Sequence, residues 1–284
     1  MGLPGFSKDG ESRSSPAEIE ALARESVHVR RLILTTIAEA GLGHVGGDLS
    51  VTDILVTLFF GVLDIDPADP QKPDRDRFIL SKGHCAAALY TVLARRGFFD
   101  EAELFTFMKP MSRLNGHPNR RKVPGVEANT GPLGHGLPIA LGAALGAQIA
   151  SASWRAFCVT GDGELQEGSN WEAAMFAGHR KLSNLTVVVD RNGLQQGART
   201  EDTNDMSSLG EKFAAFGWEV RDIDGHDHAA LVDALSRRGE SKPVAIIART
   251  VKGKGVSFME HGVEWHHGVP NAAQVEAALK ELVV

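Results

Sequence analysis

Scarcity sets the first bounds on this sequence. It has two cysteines in 284 residues. Cys85 and Cys158 form neither a disulfide framework nor a zinc pattern, and so few cysteines suit a reducing compartment. Cys158 lies inside an apolar run and reads as a small core residue. There is no basic tract and the formal net charge is −6, which argues against nucleic acid as a main partner. No unbroken apolar run approaches the ~18 residues that span a membrane. The first residues lack the basic-then-apolar order of a signal peptide, so the expected location is the cytoplasm, with no membrane partner. Neither a repeat nor a domain linker interrupts the chain. The expectation is a disordered tail over residues 1–15, rich in Gly, Ser and charge, and one domain over 16–284.

What is present is small and apolar. Hydrophobic residues make up 43% against 6% aromatics, with 31 glycines, a composition that suits a tightly wound α/β domain. A chain this long buries about three quarters of its unfolded surface in one core. Its organising stretch runs from Gly161-Asp162-Gly163 to Asp190-Arg191-Asn192-Gly193-Leu194. Apolar runs at 156–160 and 185–189 flank a helical segment, 167–180, giving strand, glycine turn, crossover helix and strand. Such a unit brings Asp162 and Asn192 to the carboxyl edge of adjacent parallel strands, where open α/β sheets bind ligands. An Asp, an Asn and a nearby carbonyl are hard oxygen donors, suited to Mg²⁺ or Ca²⁺. Mg²⁺ held by few protein oxygens usually shares phosphate oxygens, so the stretch predicts a metal-bridged diphosphate.

Elsewhere, Ser15-Pro16-Ala17-Glu18 reads as a helix start, and Leu22, Val29, Leu32, Ile33 and Ile37 keep helical spacing up to Gly41. Gly41-Leu42-Gly43-His44-Val45-Gly46 matches GxGxxG but follows a helix instead of a strand, so it is no dinucleotide fingerprint. It reads as a loop presenting His44, with the next helix starting at Ser50. Strands are expected at 78–80, 219–223 and 243–249, and helices at 86–95, 101–107, 136–149, 209–216, 228–237 and 272–282. Residues 108–135 hold no convincing element, and long structureless runs in compact domains are usually functional. Histidines His44, His84, His117 and His266-His267 sit in glycine-bearing loops or just after predicted strands. There they can bind anionic oxygens or move protons, and no HxxxH or Cys/His spacing makes them a zinc site. His179, His226 and His228 have no such setting and read as surface residues.

Together these words resemble the transketolase family. Gly161-Asp162-Gly163 with Asn192-Gly193-Leu194 looks like its thiamine diphosphate motif. Ser81-Lys82-Gly83-His84, Gly116-His117-Pro118, Gly131-Pro132-Leu133-Gly134 and Lys252-Gly253-Lys254-Gly255 occur in the family's order. The resemblance implies a doubly wound, mostly parallel sheet with helices on both faces, the diphosphate-type domain of that fold. It implies Mg²⁺ held by Asp162, Asn192 and the Leu194 carbonyl. Thiamine diphosphate would be contacted by His84, Gly131, Pro132, Leu133, Gly161, Gly163, Glu164, Lys252 and His266. His84 and His266 would face the diphosphate or the reacting centre, and His44 and His117 the sugar hydroxyls. His266 is favoured over His267.

The family's pyrimidine-binding and C-terminal domains have no counterpart here, nor has the Glu that contacts the aminopyrimidine ring. The implied protein is the N-terminal subunit of a split transketolase, which pairs with a C-terminal subunit in a heterotetramer of two copies each. It would move a two-carbon ketol unit between sugar phosphates. The competing readings are a non-catalytic cofactor- or partner-binding module and one chain of a deoxyxylulose-phosphate-synthase-like enzyme.

Overall fold

The computed structural model describes residues 15–283; the expected tail, apart from Ser15, lies outside them. Helix α1 (Pro16–Ala40) starts at a reciprocal cap. Ser15 Oγ accepts from the Glu18 amide and the Glu18 carboxylate accepts from the Ser15 amide, as the sequence suggested. Gly41, at φ +66°, closes the helix in the left-handed conformation that suits glycine. Then follow α2 (Val45–Thr57), β1 (Arg77–Leu80), α3 (Ala86–Arg96), α4 (Gly136–Ile149), β2 (Ala156–Gly161), α5 (Gly168–His179), β3 (Leu185–Arg191), α6 (Thr200–Thr203), α7 (Leu209–Ala215), β4 (Glu219–Asp224), α8 (His228–Ser236), β5 (Val244–Arg249) and α9 (Ala272–Glu281).

The five strands form one sheet in the order β1-β2-β3-β5-β4 with every pair parallel. Period-two alternation sends Phe78, Leu80, Phe157, Val159, Val188, Ile246 and Ala248 into one core. Ile79, Cys158, Val187, Val189, Ala245 and Ile247 go into the other. Strands buried on both faces are why the sequence shows continuous apolar runs here. From β1 through β4 the chain advances across the sheet, and right-handed crossovers put α4, α5 and α7 on one face. The step back from β4 to β5 puts α8 on the other face, with α1, α2, α3 and α9. The sheet is thus doubly wound, as expected.

Local expectations need correcting in four places. The second helix starts at Val45, not Ser50. Its glycines are there for closeness: a Cβ on Gly46 would meet Lys252 Cγ at 3.0 Å, and one on Gly47 would meet Cys85 Sγ at 2.9 Å. After Thr57 the helix continues through a π turn, and Val45–Val62 together reach 18 residues with mean hydropathy 1.5. Contrary to the sequence reading, that is long and apolar enough to cross a membrane, but 83% of it is buried within the protein as a core helix. The segment at 101–107 is a 3-10 helix, Glu101–Thr106. Finally, His226 and His228 are not surface residues. His228 is buried, with Nδ1 2.8 Å from Thr57 Oγ1 and Nε2 3.1 Å from Ser26 Oγ, and His226 Nδ1 lies 2.7 Å from Asp53 Oδ2. Arg30 binds Asp53 through both terminal nitrogens, at 3.0 and 2.6 Å. These partners come from α1 and α2, far away in sequence, so the local polar pattern around 222–228 reads as solvated.

Candidate active site

Register places the two halves of the central stretch side by side. Gly161 pairs with Asp190, so Asp162 and Asn192 leave the carboxyl ends of neighbouring strands. Asp162 is 5% exposed; its Oδ1 accepts from Gly163 N at 2.9 Å and its Oδ2 from Gly193 N at 2.8 Å. Gly163 therefore aims its amide at Asp162, where the sequence reading aimed it at a diphosphate. Among the described residues Asp162 has no ion-pair partner. Burial pushes its pKa up to about 6, with the Gly193 amide opposing. A buried carboxylate held by amides and lacking a cation fits a metal ligand, since the metal supplies the missing charge.

Asn192 stands beside it, half-buried, with Oδ1 accepting from Leu194 N at 3.1 Å and Nδ2 donating to Ser50 Oγ at 3.2 Å. Leu194 is kept in place by an antiparallel bridge to Arg199. Ser50 in turn donates to Asp190 Oδ2 at 2.7 Å. Asp190, fully buried, also accepts from Thr250 Oγ1 and pairs with the buried ammonium of Lys82. Burial works against charge on both members of that pair. Mutual attraction nevertheless raises the Lys82 pKa and lowers that of Asp190. The sequence names Lys82 and Asp190 only as parts of words and Ser50 only as a helix start, and assigns none of them, nor Thr250, a part in the site. A charged residue ending an apolar strand is the one local signal.

Glu164 was expected against the cofactor, but the structure turns it inward. It is 3% exposed and accepts from Ser81 Oγ, Gly134 N (2.9 Å) and Gly161 N (3.1 Å). Ser81 Oγ also accepts from Gly136 N at 3.0 Å. The carboxylate thereby ties the ends of β1 and β2 to the loop before α4. That loop carries Gly131, Pro132 and Leu133, the last two exposed. Gly131 must be glycine: its φ is +138° and a Cβ would lie 2.7 Å from His117 Cδ2. The His117 ring thus packs on Gly131, at the exposed rim of the site.

The remaining histidines gather on the other side. Ring centroids are 5.2 Å apart for His44 and His84, 5.4 Å for His84 and His266, and 4.4 Å for His44 and His267. Lys252 donates to His266 Nδ1 at 2.8 Å, which leaves that ring neutral. Burial lowers the pKa of His44 to about 4 and that of His266 to about 3, helped by the neighbouring imidazoles and Lys252, and it holds His84 well below its ordinary value. Burial, with Lys82 beside it, also lowers Lys252 to about 8. The ring nitrogens of His44, His266 and His267 lie within 4.8 Å of one another. With two lysines near them, however, this pocket suits an anion better than a second cation. His266 is the half-buried member tied to Lys252 and His267 the exposed one.

Fold and site define a class: an open parallel α/β domain with a buried carboxylate, an amide oxygen, two lysines and a histidine cluster at the carboxyl edge of its sheet. Residues 23–283 match the family described as transketolase, thiamine diphosphate binding domain. The chain is 46% identical to one of the subunits of the apulose-4-phosphate transketolase of Actinobacillus succinogenes, over 93% of this chain and 96% of that protein. It is 41% identical to a 6-deoxy-6-sulfo-D-fructose transketolase subunit of a Clostridium species, over 89% and 93%. The crystal structure of transketolase from Campylobacter jejuni superposes with a TM-score of 0.86 at 31% identity, over 92% of this chain. This chain spans 43% of that longer one. The chain belongs to the transketolase family, whose members transfer ketol units with thiamine diphosphate, and its fold is that family's cofactor-binding domain.

Proposed function

We propose that this chain is the thiamine diphosphate- and Mg²⁺-binding subunit of a two-chain transketolase. A C-terminal subunit would supply the pyrimidine-binding domain, two copies of each chain would assemble, and sugar phosphates would be the substrates. The single observation that carries the reading is the buried Asp162 carboxylate beside Asn192, with no ion-pair partner among the described residues, at the same sheet edge as Lys82 and the Lys252–His266 pair. Similarity over nearly the full length of proteins named as transketolase subunits supports a partner chain. The free, buried thiols of Cys85 and Cys158 suit a reducing, cytoplasmic setting. Residues 16–284 act as one domain in this reading.

Asp162, Asn192 and the Leu194 carbonyl would hold the metal, and Lys252, His84 and His266 the diphosphate oxygens. When bound, the cofactor supplies the carbanion chemistry that breaks and re-forms the sugar's carbon–carbon bond. The chain's own part is to bind, orient and handle protons. His44 and His266 are neutral near pH 7; His44 has one acceptor and one donor nitrogen for substrate hydroxyls, while His266, whose Nδ1 accepts from Lys252, offers its Nε2–H as a donor. His117, at the rim, would grip a hydroxyl farther out. His117→Ala should reduce ketol transfer by at least about tenfold while changing thiamine diphosphate affinity less. Undiminished transfer in that variant removes His117 from the reaction. Cofactor affinity should also depend on pH. Lys252 binds an anion as the ammonium, so affinity is steady below pH about 8 and falls as the pH rises through that value. The fall approaches tenfold per pH unit, as for any ligand that must take up one proton. Lys252→Arg, charged throughout, should flatten the curve. Titration calorimetry between pH 7 and 9.5 decides, and a flat wild-type curve contradicts the assignment.

A further inference from the structure

The buried network around Asp53 has a part in this site that its distance in sequence hides. His226 follows β4 and uses both ring nitrogens. Its Nε2 accepts from the Val251 amide at 2.8 Å, and its Nδ1 faces Asp53 Oδ2 at 2.7 Å. A backbone N–H can only donate, so Nε2 is the acceptor and Nδ1 carries the proton given to Asp53. Arg30 grips the same carboxylate through two nitrogens and fixes it from α1. The ring is therefore a rigid spacer between the α1–α2 core and the backbone one residue before Lys252.

That backbone has other ties, but His226 is the side chain that takes the Val251 amide; Lys254 N donates to Val251 O at 3.2 Å, Thr250 Oγ1 to Asp190 and Gly255 N to Glu260 Oε1 at 3.0 Å. Thr250 N donates to Arg191 O at 3.1 Å, Gly253 N to Gly46 O at 3.0 Å, and His261 N to Lys252 O at 2.9 Å. Gly253 and Gly255 have φ of +81° and +92°, so without these ties the loop has wide conformational freedom. We infer that His226 is a positioning residue, fixing the Val251 amide and so setting the path by which Lys252 reaches His266 and an anionic ligand. The inference rests on Lys252 being a diphosphate contact, as proposed above.

Asparagine and glutamine separate the two ring contacts. His226→Gln can return an acceptor oxygen to the Nε2 position and keep Val251. His226→Asn can keep Asp53 but not reach Val251. Amide hydrogen exchange on the full chain reads the loop directly. His226→Asn should speed exchange at the Val251 amide by about tenfold, the loss of one hydrogen bond, and His226→Gln should stay near wild type. With the partner chain present, the dissociation constant for thiamine diphosphate and Mg²⁺ should rise about tenfold in His226→Asn and be largely restored in His226→Gln. His228 Nε2 lies 3.4 Å from Asp53 Oδ1, so His228→Asn disturbs Asp53 without touching the loop and controls for general loosening. Equal exchange in wild type and His226→Asn overturns the inference, and so does an equal loss of affinity in His228→Asn. If Lys252→Ala binds the cofactor like wild type while exchange still responds to His226→Asn, the loop-holding role stands. The assignment of Lys252 then falls.

Discussion

Asp162→Ala is expected to abolish Mg²⁺-dependent thiamine diphosphate binding, the largest loss of affinity from any single substitution in this chain. The carboxylate is buried and both its oxygens are directed by amides, so its geometry exists before any ligand arrives. Among the described residues it also has no ion-pair partner of its own. Binding thus brings together a carboxylate that lacks positive charge and a metal–diphosphate unit that needs a protein anion to balance its ion. Truncating one partner of a buried, hydrogen-bonded charge pair costs about 2–5 kcal/mol, or roughly 30-fold to several thousand-fold in affinity. Asn192→Ala should lose less, because the amide is neutral and half-buried. Calorimetric titration of both variants with thiamine diphosphate, with and without Mg²⁺, measures this. Wild-type affinity in both removes the metal assignment.

The second large effect is on stability. Asp190→Ala would leave the Lys82 ammonium enclosed, at 2% exposure, with no counter-charge. It would also strip Ser50 and Thr250 of their shared acceptor. Breaking one side of a buried ion pair costs about 3–5 kcal/mol, which lowers Tm by roughly 10 °C for a domain of this size. Lys82→Met combined with Asp190→Asn removes both charges, leaves an acceptor oxygen for one hydroxyl and sets an amide donor against the oxygen of the other, so it should be less destabilised than Asp190→Ala alone. If the double variant melts no higher than the single one, the pair's charge is not what holds these strand ends. Asp190→Ala should also weaken metal binding, because Ser50 loses the anchor that orients it toward Asn192.

The two effects mark where the sequence was legible. Asp162, Asn192 and the glycines around them lie in one βαβ unit, where apolar runs, a turn and a polar strand end are local signals. The α/β class could be read for the same reason, since four of the five described strands are short apolar runs, whereas the doubly wound order came from the family resemblance and β4, Glu219–Asp224, is mostly polar. The partners that hold the site in place are remote. Ser50 and Lys82 reach Asp190 across 140 and 108 positions, and His226 reaches Asp53 across 173. Nothing in a local pattern distinguishes those polar groups from solvated ones. Glu164 shows the converse limit. The family resemblance implies cofactor contact for it, but three donors converge on it from the protein side. Gly46 falls in the stretch that the sequence reads as a loop, and Gly47 falls before the expected helix start at Ser50. There the close approach of Lys252 and Cys85 outweighs the roughly 1 kcal/mol that each glycine costs a helix.

The half-site account is tested most directly by ketol transfer in reconstitution. This chain, the candidate C-terminal chain and their mixture would each be supplied with thiamine diphosphate, Mg²⁺, a ketose phosphate and an aldose phosphate. The account predicts no turnover by either chain alone, and turnover by the mixture that saturates at a one-to-one ratio and disappears with Asp162→Ala. Turnover by this chain alone, or by a mixture containing Asp162→Ala at the wild-type rate, would contradict it.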